Sequence, residues 1–278
     1  MTENLTFLKL GGSLITDKDN RHTHRPDVLA RLAAEIADAL KAQPDLPLLL
    51  GHGSGSFGHT AARQHGTRQG VSNREQWFGF AEVWKEARAL NQIVVDALWD
   101  AGVPVIALPP SASVTATNGQ VLRWDLTPIR AALNAGLVPM VNGDVIFDVQ
   151  RGGTILSTED LFIRLAKALS PGRILLAGRE DGVYADFPAR TTLIHAITPA
   201  NFPAVAGRIS GSASVDVTGG MIEKVRTMLD LVESMPQFEA RIFSGLKAGA
   251  VQSALLGDAE GTEASGTVIR LSGGDDIL

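Results

Sequence analysis

No cysteine occurs among the 278 residues. That excludes a disulfide, a thiolate zinc site and a cysteine nucleophile. No apolar run approaches the roughly 18 residues of a membrane-spanning helix. A strong charge excess is also missing: the net charge of −5 argues against a general nucleic-acid or membrane-surface role, while leaving room for a local basic pocket. No internal repeat or biased linker interrupts the chain. The amino-terminal MTENLTFLKLGG is polar and then strand-like, unlike a signal peptide, so a cytoplasmic protein is expected.

What is present suits a folded α/β protein. The chain is 45% hydrophobic and 20% charged, which favours a sizeable core over disorder. Its length fits one large α/β domain or two small ones. One stretch organises the rest. The apolar run Leu46 to Leu50 reads as a buried strand and breaks into GHGSGSFGH. The TAARQH that follows has helix-forming character. A strand, a glycine-rich turn and a helix start make an anion site: glycines let the backbone approach a phosphate, and free N–H groups point at it. His59 is expected at that helix start. Gly53, Gly55 and Gly58 satisfy G-x-G-x-x-G, and Gly53 to Thr60 resembles a P-loop with His in place of Lys. The dinucleotide version lacks an acidic residue ending the next strand, and the NTPase version lacks its lysine. A purely structural glycine turn is the third reading.

Other segments alternate between strand and helix patterns. Leu5 to Leu10 is a strand ending in Gly11-Gly12-Ser13, with Lys9 either an edge lysine or a cation beside a second glycine-rich turn. The polar loop TDKDNRHTHR carries Lys18. Pro26 opens a helix running to about Lys41, with Val28, Leu32, Ile36 and Leu40 along it. A long helix spans 73–101, with Trp77, Phe80, Ala81, Trp84, Ala87, Leu90, Val94 and Leu98 along one face. Further strands are expected at Val103 to Leu108, Leu137 to Val141, Arg173 to Ala177, Arg241 to Phe243 and Thr267 to Leu271. Hairpins turn at Asn118-Gly119 and Gly152-Gly153. Ser157 caps a helix, with Asp160 three residues on. Residues 186–216 read as loop and strand, and Leu246 to Leu255 as a helix. The alternation predicts a parallel-core sheet with helices on both faces. Two lobes are expected, 1–170 and 171–278.

Four pieces together resemble the amino acid kinase family: LKLGGS at 8–13, the glycine-rich turn at 51–59, NGD at 142–144 with STED at 157–160, and DGVY at 181–184 with TGG…K at 218–224. They lie in the family's order and span nearly the whole chain. GGSLITDK, the terminal His of GSFGH and LNQIVVDALWDAGVPVIALPPS are similar to the branch that phosphorylates isopentenyl phosphate. One departure is Ser54, where that branch usually has glycine. Its Cβ either crowds a phosphate or its hydroxyl adds a donor.

The resemblance implies a three-layer αβα sandwich with a mainly parallel central sheet. It implies transfer of a phosphoryl group from ATP, with Mg²⁺, to isopentenyl phosphate, a step in isoprenoid biosynthesis on the mevalonate route. Such chemistry between two phosphates needs positioning and cations more than a strong base. By the same resemblance, Lys9, Gly11, Gly12 and Ser13 would hold the ATP phosphates, and Lys18 would neutralise the transferring group. Gly55 would approach the nucleotide phosphates. Gly53, Ser54 and His59 would meet the acceptor phosphate, with Gly143 and Asp144 bordering it; separately, the wide apolar face of the 73–101 helix, directly after the phosphate-binding segment, is expected to line the acceptor tail with Trp77, Phe80, Val83 or Trp84. Asp160 would orient the lysines. Asp181, Gly182 and Tyr184 would line the nucleoside side, and Gly219, Gly220 and Lys224 would close over the β- and γ-phosphates. The 1–170 lobe would then serve the acceptor and the 171–278 lobe the nucleotide. No protein metal ligand, nucleic acid or membrane partner is implied, and a homodimer is. Alternatives are a sister kinase acting on another small phosphate or a phosphonate such as fosfomycin, a non-catalytic nucleotide-binding regulatory protein, and a dinucleotide-dependent oxidoreductase.

Overall fold

A strand buried on both faces needs apolar side chains on both, because successive residues point to opposite sides. Thr6–Leu10 meets this requirement: Phe7 enters one core while Leu8 and Leu10 enter another. Leu49 and Leu50 divide in the same way, as do Ile174 and Leu175. The computed structural model describes residues 5–17, 20–209, 220–257 and 266–272, with the backbone alone at His59.

In chain order the described elements begin with β1 (Thr6–Leu10), α1 (Gly12–Ile15), α2 (Pro26–Ala42), β2 (Leu48–His52), α3 (Gly55–His65) and α4 (Arg74–Asp100). Then come β3 (Val105–Ala107), α5 (Pro110–Ser113), β4 (Val114–Thr117), β5 (Gln120–Trp124), α6 (Thr127–Asn134) and β6 (Val138–Asn142). They are followed by β7 (Asp144–Asp148), β8 (Gly152–Leu156), α7 (Thr158–Leu169), β9 (Arg173–Gly178), β10 (Val183–Tyr184) and β11 (Leu193–Ile194). The last are β12 (Ala196–Ile197), α8 (Phe202–Ile209), α9 (Gly220–Ser234), β13 (Glu239–Ser244), α10 (Ala250–Leu256) and β14 (Thr267–Ile269).

The main sheet has the order β12-β14-β13-β9-β1-β2-β6-β3. Its pairings are parallel except for β13 with β14. Helices α2, α4 and α10 pack on one face through Leu32, Ile36, Leu90, Val94, Val251 and Leu255. Helices α7, α8 and α9 cover the other through residues such as Phe162, Leu165, Val205, Val225 and Met228. This is the expected three-layer αβα sandwich. A smaller sheet, β5-β4-β7-β8, stands beside it. The order reverses at β1: the chain builds outward to β2 on one side and later returns to place β9 on the other. In parallel α/β sheets, ligand crevices form outside the carboxyl ends of strands at such a reversal.

Several element bounds differ from the sequence reading, each for a local reason. β2 starts at Leu48 and runs through Gly51 and His52, because the backbone of both pairs with β1 and β6. A side chain at 51 would meet the Phe162 ring at 2.7 Å, so glycine is what lets the strand continue. α3 starts at Gly55, which places the backbone of His59 in its second turn rather than at its start. α10 starts only at Ala250, since Gly249 is left-handed at φ 79°. The loop expected around 186–216 contains α8, whose start is held by reciprocal bonds between Thr198 and Asn201. On α4 the buried face is Phe80, Val83, Ala87, Leu90, Val94 and Leu98, while Ala81, Trp77 and Trp84 are exposed. Trp77, Ala81 and Trp84 lie on an adjoining face of the helix, which apolar character alone does not separate from the buried one.

The two glycine-rich turns meet backbone to backbone. A Cβ on Gly12 would lie 2.4 Å from Gly55 N, and one on Gly53 would lie 2.7 Å from Gly12 N. Gly55 adds a left-handed φ of 51°. Gly12→Ala is therefore expected to cost about 1–3 kcal/mol, in the range of overpacked interiors. Urea unfolding checks this, and an unchanged midpoint would show that the turns can part at no cost.

Candidate active site

The carboxyl ends of β1, β2, β6, β9 and β13 open on one side, and the loops there carry most of the expected residues. Gly11 donates its N–H to Ala177 O at 2.8 Å, so the first turn lies against β9 at the strand-order reversal. Thr16 Oγ1 links the two turns: it donates to Gly12 O at 2.8 Å and accepts from Ser56 N at 3.0 Å. One N–H of the α3 start is thus already used within the protein. Ser13 follows on α1 and is half-buried.

Lys9 is the last but one residue of a central strand, not an edge lysine. It is 8% exposed. Its Nζ lies 2.9 Å from Glu159 Oε1 and close beside Gly53. Burial pushes the Glu159 carboxyl up, but the Lys9 and Lys224 ammonium groups outweigh it and hold it at about 2. Lys9, Glu159 and Lys224 thus share one electrostatic centre, contributed by β1, α7 and α9.

The expectation that Asp160 orients the lysines is corrected here. Ser157 accepts from Asp160 N while the Asp160 carboxylate accepts from Ser157 N at 2.8 Å, a capping box. Its other partner is Arg68 at 3.2 Å. The third helical residue folds back onto its own cap, whereas Glu159, one position earlier, projects toward Lys9. The STED pattern contained the right carboxylate, and its cap reading drew attention to the wrong one.

Sequence reasoning also missed the buried polar bridge under the turns. His52 Nε2 lies 3.0 Å from Asn91 Nδ2, and Nδ1 lies 3.2 Å from Gly53 O. Asn91 also donates to Asn142 Oδ1, and Asn142 to Gly143 O. Burial lowers the His52 pKa to about 4, so the ring is neutral near pH 7. A neutral ring with Nδ1–H donating to Gly53 O and Nε2 accepting from Asn91 satisfies every contact. Thr158 Oγ1 donates to His52 O at 2.6 Å and accepts from Gly143 N at 2.9 Å, joining β2 to β6. These residues sit inside apolar strand and helix patterns, and only their polarity could have flagged them.

The remaining expected residues fall around this centre. Asp144 is buried; burial pushes its carboxyl up, against hydrogen bonds from Ser111 N and Val145 N. Ser54 has an ordinary φ of −74° and its Cβ faces Gly58, so the backbone accepts serine without strain. Phe80 and Val83 join Ala61, Val71 and Val145 in a separate apolar cluster between α3, α4 and the β7–β8 hairpin. Trp77, Phe80 and Phe147 stack within 5.9 Å of one another there. Trp84 is not part of that cluster. Asp181 bonds Tyr184 Oη through one oxygen and Lys247 Nζ, at 3.1 Å, through the other. Gly182 is pressed against Thr267, where a Cβ would lie 2.6 Å from its hydroxyl. Gly220 opens α9 at φ 68°. Lys18, Gly219 and the His59 side chain lie outside the described residues. Arg21 pairs with Glu82 and His22 with Glu86, both on α4.

A model of the amino acid kinase family matches residues 4–244. The chain belongs to the amino acid kinase family. Among its members, an isopentenyl phosphate kinase of Methanocaldococcus jannaschii is 35% identical over 267 residues, covering 93% of this chain and 98% of the relative. One of Methanothermobacter thermautotrophicus is 34% identical over 270 residues, covering 94% and 99%. A solved isopentenyl phosphate kinase structure superposes with a TM-score of 0.79 at 33% identity, over 96% of this chain and all of that one.

The two shifted groups act in the same direction on acid stability, in adjoining windows. Glu159 is depressed from 4.5 to about 2, so its contribution is present above 4.5 and is lost as pH falls toward 2. His52 is depressed from 6.5 to about 4, so its contribution is present above 6.5 and is lost as pH falls toward 4. Urea unfolding at stepped pH should show His52→Gln flattening the upper window and Glu159→Gln the lower one. A His52→Gln profile parallel to the parent across the upper window would assign that slope to another group.

Proposed function

We propose that the protein transfers the γ-phosphoryl group of ATP to isopentenyl phosphate, giving isopentenyl diphosphate and ADP. The observation that carries this is the buried Lys9 ammonium at the strand-order reversal, set between two touching glycine turns and balanced by Glu159. The full-length similarity to isopentenyl phosphate kinases supports the choice of acceptor.

The chemistry follows from charge. As the phosphoryl group moves, negative charge spreads over its oxygens and over both flanking phosphates. Lys9 and Lys224 oppose that charge from β1 and α9, and Lys18 from its loop. Glu159 keeps Lys9 aimed and charged in a buried place, where a lone ammonium would be costly. Gly11, Gly12, Ser13 and Gly55 bring the backbone close to the donor phosphates, and Gly219 and Gly220 close over them. Gly53, Ser54 and His59 receive the acceptor phosphate, with Gly143 and Asp144 beside it. An acceptor that is already a phosphate oxyanion needs no strong base. The Phe80 and Val83 cluster offers an apolar environment for a prenyl tail.

Asp181, Gly182 and Tyr184 border the nucleoside, so residues 171–278 hold the nucleoside end of the nucleotide, while residues 1–170 hold the acceptor and share the donor phosphates. Among the described residues there is no group of three or more His, Asp or Glu able to hold a metal. Amide and ammonium groups face the crevice at the strand ends, and the Glu159 carboxylate there is already paired with Lys9, which suits a nucleotide arriving with its own Mg²⁺. When bound, that ion would supply positive charge against the negative charge that develops during transfer. A homodimer fits the exposed Trp99 and Ile106, the latter on edge strand β3. Among the described residues no helix is long and apolar enough to cross a membrane, in keeping with a cytoplasmic place in isoprenoid biosynthesis.

A coupled ADP-release assay across isopentenyl phosphate, dimethylallyl phosphate, fosfomycin and UMP tests the reading; preference for either of the last two would overturn it. Within that assay, Lys18→Ala and Lys224→Ala should each lower kcat by about 10²–10³, equivalent to about 2.7–4 kcal/mol, more than they raise the acceptor KM. Near-parental turnover in either variant would return that lysine to the solvated surface.

His59 makes the sharper test of acceptor choice. His59→Ala should nearly abolish transfer to isopentenyl phosphate while leaving ATP affinity little changed. His59→Gln or His59→Asn should retain part of the rate, because an amide N–H still donates. Normal acceptor kinetics in the alanine variant would remove the proposed contact.

A further inference from the structure

We infer that Arg31 and Glu35 of α2 are positioning residues for the nucleotide, acting through the segment 245–251; this rests on the ATP-dependent reading above. Glu35 is 7% exposed. A buried carboxylate must be paired and hydrogen-bonded to be tolerated. Arg31 pairs with it one helical turn away. Its oxygens also accept from Gly249 N at 3.0 Å and Val251 N at 2.9 Å. These N–H groups belong to the start of α10, whose own Gly249 cap has no side chain to offer. A carboxylate from a different helix, more than 200 residues away in sequence, does the capping instead.

Arg31 holds the other end of the same segment. It donates to Gly245 O at 2.6 Å and to Lys247 O at 3.4 Å. Two side chains thus fix four backbone groups within seven residues. The segment is fixed on its other side as well: Gly245 N donates to Gly178 O at 2.8 Å, and a Cβ at 245 would lie 2.5 Å from Leu14 of α1. It therefore spans from the first glycine turn to the end of β9.

What the segment presents is Lys247, whose Nζ meets Asp181. Both partners are exposed, at 56% and 38% of their side chains. An exposed ion pair between freely moving chains contributes little. Here the Lys247 backbone is anchored by Arg31, so less freedom is lost on pairing. Asp181 in turn receives the Tyr184 hydroxyl at 3.0 Å. The path runs from α2 through the fixed segment to the proposed nucleoside wall, and a wall held in place before binding lowers the ordering cost of the ligand.

The alternative role is packing alone, with Arg31 and Glu35 joining α2 to α10 and no consequence for ligands. Calorimetric titration of the full chain with a non-hydrolysable ATP analogue and, separately, with isopentenyl phosphate distinguishes the two. Arg31→Lys and Glu35→Gln are each expected to weaken the analogue by about tenfold, or about 1.4 kcal/mol, and isopentenyl phosphate by less than about twofold. Lys247→Met should weaken the analogue in the same direction. The Arg31→Lys, Lys247→Met double variant should fall short of the product of the two single effects, because both act on one path. If Glu35→Gln fails to fold, the half-exposed Arg31 and the surface Lys247 still decide the matter. Parental analogue affinity in folded Arg31→Lys, or equal losses for both ligands, would overturn the inference. An unmodified chain that binds the analogue but not isopentenyl phosphate would overturn the acceptor assignment and leave the clamp to be judged. A chain that binds no analogue would overturn both.

Discussion

A lysine ammonium buried at the end of a central strand is the constraint on which the rest of this structure depends. Lys9 can occupy that position because Glu159 meets it, and the same carboxylate also lies within reach of the Lys224 charge. Removing one partner of a buried pair typically costs about 3–5 kcal/mol, since the other charge is then stranded. That arrangement fixes the orientation of three elements at once. β1 must end at the crevice, α7 must begin there, and α9 must approach from the side. The capping box of Ser157 and Asp160 serves the same end by setting where α7 starts. Its correct start brings Glu159, rather than a neighbour, to the ammonium.

The second layer of constraint is uncharged. Glycines let the two turns touch, and the His52, Asn91 and Asn142 bridge holds the second turn from below. A neutral His52 is important to this arrangement. A protonated ring would place a cation near Lys9 in a buried site and would lose its acceptor nitrogen. The polar bridge is tolerated in the interior because each described group in it has a partner.

Much of the fold could be read from the chain because local and long-range preferences agree there. Strands buried on both faces show as continuous apolar runs, and Gly-rich turns mark their carboxyl ends. Agreement failed where a tertiary partner decided the outcome. The end of β2 looked like loop because Gly51 and His52 carry no strand propensity, yet backbone pairing with β1 and β6 holds them. The start of α3 was placed too late because glycine and serine are weak helix formers, while Thr16 fixes the first turn from outside. In the site, the residue types and their order were legible from the family pattern. Which of two adjacent carboxylates meets the lysine was not, since it depends on a rotation of about 100° per residue around α7. Arg31 and Glu35 show in the sequence only as an i, i+4 pair on α2, as their other partners are backbone atoms more than 200 positions away.

The reversal of strand order has a mechanical consequence. β1 belongs to the first 170 residues and β9 to the remainder, yet the two strands are paired along five consecutive positions. A seam between lobes is normally where a protein hinges, because few bonds cross it. A boundary at residue 170 would instead run through the middle of a hydrogen-bonded ladder. Rigid-body opening between the halves would have to tear that ladder. The sheet is therefore a fixed bed shared by both halves, on which the loops and helix starts at the strand ends stand.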